Sequence, residues 1–175
     1  MLEPSALTEP DERVAAVAAS LAASGSRGLP LARLVNDWLF ANMRYRHGVT
    51  GVGTTAAQAL ALGQGVCQDY AHVMLSICRL PGLPARYVSG HLLGEGGTHA
   101  WVEVVLPLSG GGAAAAAWAF DPTHGRMASL GYVTVAVGRD YYDVAPTSGT
   151  YSHGPAGRLS ARKRVDLTRL DYLSA

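Results

Sequence analysis

One cysteine sits where a glycine-punctuated turn, Gly63-Gln64-Gly65-Val66, runs into a helical pattern that begins Cys67-Gln68-Asp69-Tyr70-Ala71-His72. At the first or second position of a helix, unpaired backbone N–H groups and the positive end of the helix dipole favour a thiolate over a thiol. A depressed thiol acidity constant is the usual route to a nucleophilic cysteine. Two partners follow in chain order, His99 in Thr98-His99-Ala100-Trp101-Val102-Glu103 and Asp121 in Phe120-Asp121-Pro122-Thr123-His124. His99 would take the proton of Cys67 and later return one to a leaving amine, while Asp121 would fix the imidazole tautomer. The Cys67 N–H is one expected oxyanion donor; Gln64, Trp38 and Tyr45 are open alternatives for the second. The second cysteine, Cys78, lies mid-helix and reads as a small buried hydrophobe. A disulfide between the two is excluded, because eleven helical residues separate them by about 16 Å and a bridge needs α-carbons within about 7 Å.

These residues must be held by regular elements, and the pattern supplies helices first and strands afterwards. Val14, Val17, Ala18 and Leu21 recur at helical spacing, as do Leu31, Leu34, Val35, Trp38 and Leu39 behind Pro30. Thr55 and Gln58 have capping-box spacing before a short helix, and the cysteine helix runs to about Leu80, closed by Pro81 and Gly82. Within it, Cys67, Ala71, Met74 and Cys78 form one stripe, so the helix is expected in the core with its N-terminal end open to a cleft. Residues 86–93 and 98–106 alternate as strands, the second with His99, Trp101, Glu103 and Val105 on one face and Ala100, Val102, Val104 and Leu106 on the other. The end of Ala113–Asp121 is expected to pair with that strand across a long hairpin loop. Residues 132–137 and 164–170 are the remaining strand candidates. The sum is an α+β domain with a mainly antiparallel sheet.

Length and composition bound the rest. The 175 residues suit one domain (1–175) with residues 1–12 as an extended lead-in, and 49% apolar against 15% charged residues exclude a disordered chain. Fourteen basic and thirteen acidic residues leave +1, which gives no electrostatic reason to bind nucleic acid or an anionic membrane. The C-terminal cluster of Arg158, Arg162, Lys163, Arg164 and Arg169 reads as a solvated edge. With no apolar span of membrane length and an acidic N-terminus, a cytoplasmic location is expected. Cys67, His72, His91, His99 and His124 contain no compact ligand pair of the C-x-x-C or H-x-x-x-H kind, so no metal is expected. No phosphate-loop or dinucleotide fingerprint occurs, so no cofactor is expected either.

Taken together, Gly65-Val66-Cys67-Gln68-Asp69-Tyr70-Ala71-His72, Pro84-Ala85-Arg86-Tyr87-Val88-Ser89-Gly90, His99-Ala100-Trp101-Val102-Glu103 and Phe120-Asp121-Pro122-Thr123 resemble the core of the bacterial transglutaminase-like superfamily. The segment from Val135 to Pro146, followed by Gly149-Thr150-Tyr151, is also similar to that branch, so the likeness extends over roughly residues 31–170. It implies a papain-like α+β fold with Cys67, His99 and Asp121 as nucleophile, base and acid. Members of this kind often carry a further N-terminal β-rich domain, for which no counterpart is expected here. The expected activity is a thiol-dependent hydrolysis of peptide or isopeptide amides through a thioester, on a peptide or protein substrate. Amine transfer to the same thioester is the enzymatic alternative, and a non-catalytic structural or peptide-binding module, with an obstructed cleft or a triad out of register, is the other. Trp101, Arg139, Asp140, Tyr141 and Asp143 are the expected cleft residues, set against the simpler expectation that Arg139 and Asp140 pin their loop with an ion pair.

Overall fold

A computed structural model describes residues 1–108, 114–145, 154 and 168–169. Four helices, α1 (Glu12–Ala22), α2 (Gly28–Asn42), α3 (Ala56–Leu62) and α4 (Cys67–Arg79), precede the main strands. The strands β3 (Ala85–Leu92), β4 (His99–Pro107), β5 (Ala115–Asp121), β6 (Arg126–Met127) and β7 (Tyr132–Gly138) form one sheet in the order β6-β5-β4-β3-β7, antiparallel throughout. Two short strands, β1 (Arg44–Tyr45) and β2 (Gln64–Gly65), pair in parallel apart from it. A 3-10 turn at Tyr141–Asp143 follows β7. The expected α+β architecture is therefore present, with the cysteine helix against an antiparallel sheet.

Local chemistry explains the element boundaries. Asp11 caps α1 by accepting from the Val14 N–H at 2.8 Å, and the Thr55–Gln58 capping box opens α3. Gly63 ends α3 in the left-handed region at φ 61°, where a residue with a Cβ is strained. Cys67 is the first residue of α4, and the third, Asp69, reaches back to accept from the Val66 N–H at 2.7 Å. The β4–β5 hairpin runs in register from Val102↔Phe120 to Pro107↔Ala115. It therefore places Asp121 beside the start of β4.

Helix α4 is more deeply enclosed than a one-stripe reading implies, since every residue from Asp69 to Arg79 is buried. Helices α1, α2 and α3 and strands β3 and β4 all contact it. Val73, Met74, Leu75 and Ile77 are fully buried, and each contributes about 1.5–3 kcal/mol by leaving water. Ala100, Val102 and Val104 of β4 join the same cluster, as the alternation predicts. Two of the buried polar residues of α4 are tied in by hydrogen bonds to other elements. Arg79 donates to Thr8 Oγ1 at 2.7 Å, to the Ala85 carbonyl and to the Arg139 carbonyl. His72, whose pKa burial lowers to about 4, accepts from the Tyr141 N–H through Nε2.

The lead-in is more firmly attached than its composition suggests. Leu7 and Thr8 are buried, and the Leu7 carbonyl accepts from the Ala56 N–H at 2.8 Å. Cys67 and Cys78 are both free thiols. The expected strand at 164–170 and the basic cluster fall almost wholly outside the described residues, as does most of the loop expected after Gly138.

Candidate active site

Three separate devices position the cysteine turn. Strands β1 and β2 pair Tyr45 with Gly65, which fixes the loop bearing Tyr45 and His47 beside the start of α4. Asp69 Oδ2 accepts from both the Val66 N–H and Thr50 Oγ1, the latter at 2.6 Å. Gly65 leaves room for this carboxylate, because a Cβ there would lie 2.5 Å from Asp69 Oδ2. Cys67 itself is half-buried and lines a cavity of about 300 Å³ with Tyr45, Gln68, Tyr87, Ser89 and His99 among its neighbours. A β-bulge at Ser89/Gly90, where β3 pairs with β7, shifts the register next to this cavity.

His99 opens β4 and Asp121 ends β5, and they meet with Nε2 and Oδ2 2.8 Å apart. Both are buried. Burial by itself pushes the His99 imidazole down, but hydrogen bonds donated to Asp121 and Cys67, and the charges of those groups, raise it to about 10. Burial likewise pushes the Asp121 carboxyl up, yet hydrogen bonds with His99, Tyr132 and His124 hold it well below the usual carboxylate range. With Nε2 given to Asp121, the Nδ1 atom of His99 lies 3.8 Å from Glu95 Oε2, and the ring lines the same cavity as Cys67. This arrangement can hold a proton on an imidazole that shares a cavity with the Cys67 thiol.

Several residues at the site are not singled out by the sequence motifs. Asp121 Oδ2 also accepts from Tyr132 Oη at 2.6 Å and from His124 Nδ1 at 2.7 Å, while Oδ1 accepts from the Thr123 N–H. Arg126 Nε donates to Tyr132 Oη and its guanidinium lies over the Tyr132 ring. The i,i+3 spacing of Asp121 and His124 was the available signal for His124. Tyr132 comes from another strand and had none. His99, Asp121 and His124 place one ligand atom each within 4.8 Å of one another, a compactness that linear spacing did not suggest. The hydrogen bonds at 2.8 and 2.7 Å are shorter than the separation of about 3.3 Å between ligand atoms of a tetrahedral site with bonds near 2.0 Å. The cluster is therefore closed as a hydrogen-bonded network around one carboxylate.

Of the expected cleft residues, Tyr141 lines the Cys67 cavity. Trp101 is 1% exposed and packs edge-on to Tyr132. Arg139 is exposed and pairs with Asp143 at 2.9 Å, which replaces the expected Arg139–Asp140 pair; Asp140 is buried and accepts from the Tyr142 N–H. Of the oxyanion alternatives, Tyr45 lines the cavity with the Cys67 backbone, whereas the Gln64 side chain accepts from Arg46 and Trp38 is not among the lining residues.

The family model of the transglutaminase-like superfamily matches residues 15–122. An uncharacterized protein of Mycobacterium leprae is 37% identical over 180 residues, covering 97% of this chain and 61% of that protein. An uncharacterized protein of Mycobacterium tuberculosis is 34% identical over 135 residues, covering 69% and 42%. The chain thus spans less than two thirds of the length of these curated relatives. Among solved structures, a Cytophaga hutchinsonii protein described as a candidate cysteine protease is 29% identical, with a TM-score of 0.69 over 82% of this chain and 47% of that one. LapG of Legionella pneumophila shares the fold at 15% identity, with a TM-score of 0.54 over 75% of this chain and 78% of that one. The cytoplasmic location expected above is corrected here. The periplasmic domain of TgpA from Pseudomonas aeruginosa, described as lying outside the cytoplasm, is also similar (24% identity, TM-score 0.47, 83% of this chain and 48% of that one). The lack of a long apolar helix among the described residues does not specify a compartment.

Proposed function

Since this chain belongs to the transglutaminase-like superfamily, we propose that it is a thiol-dependent acyl hydrolase, cleaving a peptide or isopeptide amide with Cys67 as nucleophile, His99 as base and Asp121 as orienting acid. The observation that carries this reading is the bonding of His99 Nε2 to the buried Asp121 carboxylate, which leaves Nδ1 unbonded to Asp121, in a residue that shares its cavity with Cys67. In acylation the Cys67 sulfur bonds to the amide carbon, the C–N bond breaks, and the leaving nitrogen takes the proton of His99. In deacylation a water gives a proton to His99, its oxygen bonds to the acyl carbon, and the C–S bond breaks to return the thiolate. The Cys67 N–H, at the first position of α4, would face the developing oxyanion. A non-catalytic module calls for an obstructed cleft or a triad out of register; against the first stands the cavity of about 300 Å³ lined by Cys67 and His99.

The test is labelling by a thiol-directed, amide-like electrophile. Cys67 is expected to be modified in the wild type, not in Cys67→Ala, and about a hundredfold more slowly in His99→Ala. Equal modification of Cys78 would overturn the assignment, because burial pushes the Cys78 thiol up to about 12 and should keep it inert. Mass spectrometry of a glutamine peptide incubated with a primary amine separates hydrolysis from transfer: a free acid supports the former, an amine adduct the latter.

A further inference from the structure

One side chain reaches Asp121 from the far edge of the sheet. Tyr132 opens β7, yet its hydroxyl lies 2.6 Å from Asp121 Oδ2 on β5, with β3 and β4 between the two strands. Its ring packs edge-on to Trp101 of β4, centroids 5.4 Å apart, and Arg126 Cζ lies 5.5 Å from its centroid. The protons on this path have one arrangement. Arg126 Nε can only donate, so Tyr132 Oη accepts from it at 2.9 Å, and the hydroxyl proton goes to the ionised carboxylate, which has none to give. The phenol keeps that proton, because burial and Asp121 push its pKa up to about 12. An exposed cation is thus tied, through one hydroxyl, to the buried oxygen that holds His99.

Oδ2 accepts from three donors, Tyr132 Oη, His124 Nδ1 and His99 Nε2, at 2.6, 2.7 and 2.8 Å, while Oδ1 accepts from the Thr123 N–H. We propose that Tyr132 is a positioning residue for the reaction: its hydroxyl, steadied by Arg126, competes with His99 for Asp121 Oδ2 and so limits how tightly the carboxylate holds the imidazolium. The role rests on the hydrolase reading above, in which His99 gives its Nδ1 proton to the leaving nitrogen and becomes a neutral ring whose Nε2–H stays on Asp121. An imidazolium held by an uncompensated buried carboxylate is a poor acid for that step. The hydroxyl proton and the Arg126 charge bring positive potential to the same carboxylate, and each disfavours a second positive charge on His99. Glu95 and His124 also face the His99 ring, and Cys67, Tyr45 and His47 line its cavity. Tyr132 differs from all of these in acting on His99 through Asp121.

The test is the titration of the His99 ring, followed by NMR in the Cys67→Ala chain, where the midpoint is free of coupling to the thiol. Tyr132→Phe keeps the ring beside Trp101 and removes only the hydroxyl. The His99 midpoint is expected to rise by at least about half a pH unit. Arg126→Gln, at an exposed position, should raise it by less, because solvent and salt screen that charge. A tyrosine that merely packs predicts no rise, and one whose loss loosens Asp121 predicts a fall. A midpoint unmoved or lowered in Tyr132→Phe therefore overturns the proposal. An unmoved midpoint in Arg126→Gln overturns the part given to Arg126, and the whole if Tyr132→Phe does not fold. The titration needs no thiol, so its result is separate from labelling. If Cys67 resists the electrophile while the midpoint rises, the hydrolase reading falls and the competition at Asp121 remains.

Discussion

His99 and Asp121 are each perturbed in the direction that makes the other charged, and the consequence is a pH window. His99, raised to about 10, contributes stability in full below the ordinary imidazole value near 6.5 and loses it as pH rises toward 10. Asp121, depressed, contributes above the ordinary carboxylate value near 3.9 and loses it as pH falls through its lowered folded value. The pair should therefore stabilise most between about pH 4 and 6.5. Asp121→Asn is expected to cost about 3–5 kcal/mol in that window, because it leaves a buried imidazolium without its partner. The cost should shrink steadily toward pH 10. Urea denaturation of wild type and variant across that range, with the His99 ring titrated by NMR, measures both; a cost independent of pH would contradict the pairing.

Among the elements, the turn into α4 concentrates the most requirements in the fewest residues. Gly65, Val66, Asp69 and Thr50 form one unit, in which the carboxylate holds the backbone N–H just before Cys67 and a threonine from the preceding loop holds the carboxylate. Burial raises the Asp69 carboxyl, and the hydrogen bonds from Thr50 and Val66 act against that. Gly65→Ala is expected to push Asp69 aside and to slow thiol labelling of Cys67 by at least about tenfold, since a misplacement of about 1 Å is costly in a catalytic constellation. Thr50→Val, which removes one hydrogen bond to a buried charge, should cost about 1.5–3 kcal/mol in urea denaturation. A similar close approach occurs at Gly90, where a Cβ would lie 2.5 Å from the Trp101 ring. The bulge there and the Trp101–Tyr132 contact thus depend on one another, and Tyr132 in turn donates to Asp121.

At the scale of the molecule, Arg79 joins parts of the chain that are remote in sequence. Its guanidinium bonds to Thr8 in the lead-in, to the Ala85 carbonyl at the start of β3 and to the Arg139 carbonyl beyond β7. Arg79→Met is expected to cost about 3 kcal/mol or more, because it leaves a buried hydroxyl and two carbonyls short of a donor. Deleting residues 1–10 should destabilise in the same measurement, since it removes Leu7 from the core and the acceptor for the Ala56 N–H. A truncated chain as stable as the full one would show that the lead-in adds nothing. The two cavities meet at Tyr45, His47 and His99, so the loop carrying Tyr45 and His47 borders both.

Local sequence was sufficient for what depends on neighbours along the chain. The start of α4 at Cys67 followed from the glycine turn, the capping box at Thr55 from its spacing, and the strand over His99 to Leu106 from its alternation. The encirclement of α4 was less legible, because helical periodicity records one buried stripe and gives no sign of a second layer covering the other faces. Convergence across strands was not legible at all. Tyr132 reaches Asp121 because β7 pairs with β3, not with β5, and Glu95 meets both histidines because the β3–β4 loop folds over them. Spacing along a chain reports contacts within about one turn or one hairpin. Which distant groups share a proton, a charge or a cavity is set by sheet order and loop path, and these are properties of the folded molecule.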